Sequence, residues 1–175
     1  TALSFQRQGR SACRMRLFYP DRVAKTLYHP FVSTPSPIGL AHRGGGREAP
    51  ENSLTAFRNA ADIGFEYFET DVRATSDGKV MVFHDANLNR VTDRVGRISA
   101  LPYSEVRRAK VGGSDRVLRL EELLEEFDDK YINIDVKDDH TVEPFVRLIK
   151  QKKVGDRICV GSFSALRVRA IRSAL

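Results

Sequence analysis

The chain has 175 residues, enough to bury one sizeable core, and 41% hydrophobic with 30% charged residues is ordinary folded-domain composition, which excludes a low-complexity or disordered chain. The formal charge of +6 is scattered (Arg7, Arg10, Arg14, Arg16, then Arg167, Arg169, Arg172), with no basic helix interleaved with aromatics and no zinc-finger spacing. Nucleic acid is therefore not an expected partner, and attraction of an anionic substrate is an equally good use of the positive potential.

No apolar run approaches the roughly 20 residues of a membrane span, and no signal-peptide stretch stands at the start. Cys13 and Cys159 supply neither a disulfide framework nor metal spacing, so a reducing, cytoplasmic location is expected, with peripheral membrane contact left open. Residues 1–37 read as an irregular lead-in. Within it, residues 1–14 are polar and aperiodic, expected to be disordered or foreign to the domain. Pro20, Pro30, Pro35 and Pro37 punctuate the rest, which is expected to pack on a domain surface. The domain itself is assigned to residues 38–175.

Residues 38–42 form a short apolar strand that runs into Arg43-Gly44-Gly45-Gly46, where glycines let the backbone turn sharply. A helix starts after Pro50-Glu51, capped by Asn52 or Ser53, with Leu54, Phe57 and Ala61 on one face and Gly64 ending it. Residues 67–73 then read as a strand, rich in aromatic and β-branched side chains and followed by a Ser-Asp-Gly turn signal. Its alternation puts Glu69 and Asp71 on one face, and Phe68, Thr70 and Val72 on the other. Two acids side by side repel and lose hydration if buried, costs that a divalent cation with oxygen ligands offsets. Taken alone, such a pair reads more readily as the wet face of an edge strand, and only its neighbours reverse that reading.

Another strand at 80–85 ends in His84-Asp85, a short helix follows at 104–108, and Leu120, Leu123, Leu124 and Phe127 mark an amphipathic helix. Residues 131–137 alternate as a strand with Asn133, Asp135 and Lys137 on one face. A helix with Phe145, Val146 and Ile149 inward, a strand at 157–163, and a last helix capped by Ser164 complete the chain. Strands alternating with helices call for an α/β fold with parallel pairing, either a barrel or an open doubly wound sheet. The link at 74–79 is too short for a parallel crossover.

Polar groups gather where four strands end: His42 with Arg43, Glu69 with Asp71, His84 with Asp85, and Asp135 with Lys137. Barrel enzymes carry their sites at such ends. The motifs Ala41-His42-Arg43-Gly44, Ala49-Pro50-Glu51-Asn52-Ser53, Glu69-Thr70-Asp71-Val72, Val82-Phe83-His84-Asp85 and Asn133-Ile134-Asp135-Val136-Lys137 resemble the glycerophosphodiester phosphodiesterase family. The resemblance implies a TIM barrel, of which five of eight strands are present here, and a divalent metal, magnesium or calcium. It also implies hydrolysis of glycerophosphodiesters to glycerol phosphate and an alcohol. By resemblance, Glu69, Asp71 and Asp135 fall on the metal ligands, His42 and His84 on the acid–base pair, and Arg43 and Lys137 where phosphate is held. Asp135 stands where the family commonly has Glu.

The roles expected are base for His84 and acid for His42. Two other readings stay open: a lysophospholipase D acting on a bulkier lipid, and an inactive fragment that only binds metal or a partner. Unpaired barrel edges are expected to invite self-association. Neutralising Glu69 or Asp71 is expected to abolish activity while sparing or stabilising the fold.

Overall fold

A computed structural model of the chain describes residues 29–33, 37–45 and 48–175. The expectation for residues 1–14 lies outside the described residues. One five-stranded sheet organises the rest. Strand β1 (Leu40–His42) pairs in parallel with β2 (Tyr67–Ala74). On its other side β2 pairs in parallel with β6 (Tyr131–Val136), which pairs in parallel with β7 (Ile158–Gly161). The fifth strand, β3 (Val80–Val82), is antiparallel to β2 and lies beside its last residues, Val72 to Ala74. The tight link at 74–79 is therefore a hairpin turn. All five expected strands are in the sheet, but only four of them run in the barrel direction. In the turn, Thr75 donates to Asp77 and its backbone nitrogen to the Lys79 carbonyl.

Helices α1 (Leu54–Asp62), α3 (Leu120–Glu126), α4 (Val142–Lys152) and α5 (Ala165–Ala174) alternate with the parallel strands. Their apolar stripes and one face of the sheet make the main core, where Phe57, Phe68, Leu123, Ile134 and Phe145 are fully buried. Burying a side chain of this size contributes roughly 1.5–3 kcal/mol. In α1 the most buried positions are Ala56, Phe57 and Ala60, with Leu54 and Ala61 at the margin, so the expected stripe is rotated slightly. Ser53, not Asn52, caps α1, its hydroxyl accepting from the Ala56 nitrogen. Ser164 caps α5 as expected.

Between β3 and α3 the chain makes an excursion with a second core of Met81, Phe83, Leu88, Ile98, Val106 and Val117. It includes α2 (Tyr103–Val106), one residue earlier than expected, and a ribbon of β4 (Lys110–Val111) and β5 (Asp115–Arg116). Elements this short carry no usable periodicity. At the opposite end of the sheet Phe31, from the lead-in, stands edge-on to Tyr67 and Tyr131, which stack on each other with centroids 4.8 Å apart. The Tyr67 hydroxyl donates to the Phe31 carbonyl. This part of the lead-in does pack on the domain.

Candidate active site

The seven residues singled out from the sequence, His42, Arg43, Glu69, Asp71, His84, Asp135 and Lys137, all line one cavity of about 410 Å³ at the C-terminal ends of the parallel strands. Register explains why. His42 stands opposite Glu69, Glu69 opposite Asn133, and Asp71 opposite Asp135, so four acidic or basic positions share the face turned away from the helices. Lys137 continues β6, its backbone nitrogen donating to the Val72 carbonyl.

The loop after β1 is held from two sides. Arg43 takes a positive φ of 52° and donates its backbone nitrogen to Glu69 Oε2, while its carbonyl accepts from the Asn52 nitrogen. Gly44 follows at φ 76°, where a Cβ would lie 2.9 Å from the Ala56 side chain and 3.0 Å from the Phe57 nitrogen. Only glycine allows this loop to lie directly on α1.

Asp71 is the centre of the charge cluster, 1% exposed. Lys137 Nζ sits 2.7 Å from its Oδ1 and 2.6 Å from Asp135 Oδ2. Arg43 Nε is 3.0 Å from Asp71 Oδ2, a charge contact not aligned as a hydrogen bond, and Asn52 Nδ2 donates to the same oxygen at 3.1 Å. Thr70 donates to Asn52 Oδ1, which fixes which way that amide faces. Burial works against the Lys137 charge, but its hydrogen bonds to Asp135 and Asp71 outweigh this, so its pKa rises. Glu69 has a raised pKa, first from burial and then from the charge of Asp71. His42 is largely exposed, with Nε2 3.7 Å from Glu69 Oε2.

The residues fit a hard divalent cation in kind. All three candidate ligands offer carboxylate oxygens, Asp135 Oδ1 is buried with no hydrogen-bond partner, and Glu69 is penalised for its charge in the absence of one. Among the described residues, however, no three acidic, histidine or cysteine side chains surround a common point. Lys137 bridges Asp71 and Asp135 and acts as the local cation.

The strand expected to run to residue 85 stops at Val82, so His84 stands two residues past β3, where it meets Asp85, Nδ1 to Oδ1, at 2.6 Å. Three further residues join the site: Glu51 on Arg43, Asn52 on Asp71, and Arg90 on both Asp85 and Glu51. Glu51 and Asn52 stood in a quoted motif but read only as the start of a helix. Arg90, in a single turn of 3₁₀ helix, gave no signal in the sequence.

Parallel strands alternating with helices, with acids, cations and histidines gathered at the strand ends, place a candidate active site where α/β barrels carry theirs. The chain belongs to the glycerophosphoryl diester phosphodiesterase family, whose profile matches residues 42–172. It is similar to a probable glycerophosphodiester phosphodiesterase of Mycobacterium tuberculosis, 40% identical over 133 residues, covering 75% of this chain and 50% of that protein. It also resembles a lysophospholipase D of Rattus norvegicus, 37% identical over 129 residues, covering 65% of this chain and 41% of that protein. The crystal structure of a glycerophosphodiester phosphodiesterase from Agrobacterium tumefaciens superposes with a TM-score of 0.72 at 29% identity, covering 77% of this chain and 62% of that one. The chain thus spans about half the length of the curated relatives it matches, and the fold is an α/β barrel of which this chain supplies part.

Proposed function

We propose that the chain carries the catalytic half of a metal-dependent phosphodiesterase that hydrolyses glycerophosphodiesters to glycerol phosphate and an alcohol. The observation that carries this reading is the convergence of two histidines, three carboxylates and two cations on one cavity. A phosphodiester is an anion with a poor leaving group, so catalysis needs charge neutralisation and proton transfer together.

Arg43 and Lys137 bind the non-bridging oxygens, exchanging their contacts with Asp71 and Asp135 for the substrate. A magnesium or calcium ion held by Glu69, Asp71 and Asp135 would neutralise charge that grows on the phosphoryl group. His84 takes the proton of the glycerol hydroxyl next to the phosphate as that oxygen attacks phosphorus, and His42 protonates the departing alkoxide. The cyclic phosphate is then opened by water with the two roles reversed.

The test is hydrolysis of glycerophosphocholine by this chain, expected to stop on chelation and resume with magnesium or calcium. Absence of metal-dependent turnover would reject the proposal in favour of an inactive fragment. The rat relative supports a second reading, action on a lysophospholipid, and parallel assays with lysophosphatidylcholine separate the two. Self-association through the outer strands β1 and β7 is a further proposal, supported by their pairing on one side only among the described residues. A monomer by sedimentation would dismiss it. No helix among the described residues is long and apolar enough to cross a membrane. A cytoplasmic location therefore stays a proposal resting on the sequence.

A further inference from the structure

Both histidines line the cavity, but only His84 is within hydrogen-bond distance of a carboxylate; His42 Nε2 is 3.7 Å from Glu69 Oε2. His84 Nδ1 is 2.6 Å from Asp85 Oδ1, and the other oxygen of Asp85 is gripped by Arg90 Nε at 2.6 Å. Arg90 also spans to Glu51, NH2 to Oε1 at 2.5 Å and NH1 to Oε2 at 3.2 Å. Glu51 in turn accepts from Arg43 NH1 at 3.2 Å. From Asp85 through Arg90 and Glu51 to Arg43 the charges alternate without a gap. The His84 backbone is fixed separately, its carbonyl accepting from Arg73 Nε at 2.8 Å, with Arg73 paired to Asp138.

We propose that Asp85 and Arg90 are positioning residues for His84: Asp85 holds the ring by Nδ1, and Arg90, braced on Glu51, holds Asp85. An ionised carboxylate only accepts hydrogen bonds, so an Asp85 clamped by a guanidinium requires the proton on His84 Nδ1. That leaves Nε2 of the neutral ring with its lone pair free, as a base needs. The hydrogen bond from Arg90 is also the main reason the Asp85 carboxyl is held well below the usual carboxylate range, so that it is an acceptor at neutral pH. Arg90 is itself placed by the second core, since its 3₁₀ turn begins at Leu88, 1% exposed. The excursion between β3 and α3, which also carries His84 and Asp85, thereby braces the base from its own second core. A forked guanidinium is suited to join two carboxylates from separate segments, whereas an ammonium meets them as a single point.

The inference rests on the proposed role of His84 as base, and its test separates the two. Imidazole ¹⁵N shifts, with His84 identified by comparison with a His84→Gln variant, read the tautomer directly and need no turnover. His84 is expected to be the Nδ1–H form in the unaltered chain and a mixture in Asp85→Asn. In Arg90→Ala the ring signal is expected to broaden, and Arg90→Lys should not restore it. In kinetics, Asp85→Asn should lower kcat by about 10²-fold or more with KM changed less than about threefold, the pattern of a lost proton-transfer geometry. Arg90→Ala should show the same pattern more weakly. A chain with pinned His84 but no turnover would sink the proposed function and leave this inference standing. An Nε2–H tautomer in the unaltered chain, or an Asp85→Asn variant with unchanged tautomer and kcat, would overturn it.

Discussion

Strands β2 and β6 carry two chemistries on alternate residues. On the helix side Phe68, Thr70, Val72, Ile132, Ile134 and Val136 are all 0% exposed. On the other side Glu69, Asp71, Asn133 and Asp135 line the cavity with His42 and Lys137. The pleat separates what holds the protein together from what it does, since neighbours in sequence point to opposite faces. Thr70 is the exception: it lies on the core side, yet its hydroxyl reaches Asn52 and, through it, Asp71.

The sharpest way to break this comparison is to place a further carboxylate one residue out of step. Ile134→Asp places an unpaired acid among the helices, next to a position where the native chain carries Asp135. It should cost at least about 4 kcal/mol, from a lost core side chain plus an unpaired buried charge, and abolish the cooperative thermal transition. A normal melt would show that the face is less closed than described.

On the cavity side the same size of free energy should appear as rate instead. His42→Ala or His84→Ala is expected to lose about 10²–10⁴-fold in turnover with the melting temperature nearly unchanged, and the pH profile of the unaltered chain should be bell-shaped. An analogue lacking the glycerol hydroxyl beside the phosphate should not turn over, and full turnover of it would eliminate the cyclic route.

Glu69 and Asp71 share a face but should respond in opposite directions. The sequence alone predicts that neutralising either relieves repulsion. The structure splits that expectation, because Asp71 is bound by Arg43, Lys137 and Asn52. Asp71→Asn should therefore abolish activity and also destabilise by roughly 1–3 kcal/mol, the cost of leaving buried partners unsatisfied.

Glu69 has its folded pKa raised above the ordinary value of 4.5. Its ionisation penalises the folded state, a penalty absent below pH 4.5 that grows as pH rises toward the folded pKa and stays constant above it. Glu69→Gln should remove that penalty and give a small rise in melting temperature at neutral pH without metal. Equal and opposite shifts are not required; a fall in Glu69→Gln would contradict the assignment of repulsion.

The sheet was legible because β2 and β6 alternate without interruption, and the helices because their apolar residues fall at helical spacing. The direction of β3 was only half legible. A short link excludes a parallel crossover, but nothing in Val80 to Val82 says beside which residues of β2 the strand will lie. The seven cavity residues were found through motifs whose members end on adjacent strands. Asn52 and Ser53 are both cap-forming residue types at the start of α1; Ser53 takes the cap, and Asn52, at φ 59°, turns its side chain to Asp71 instead. Arg90 could not be found at all, since its role depends on two carboxylates brought from distant segments.

The hairpin also sets an order of events. Its two strands are joined by a five-residue turn, 75–79, and such local structures close in roughly 1–10 μs. The pairing of Asp71 with Asp135 must wait for the whole excursion and α3 to be placed, a long loop closure that slows folding. The hairpin that leads into His84 is thus expected to close before Asp71 and Asp135 meet. When β6 docks on β2, Lys137 arrives on the same chain segment as Asp135 and comes with it as a built-in counterion for Asp71.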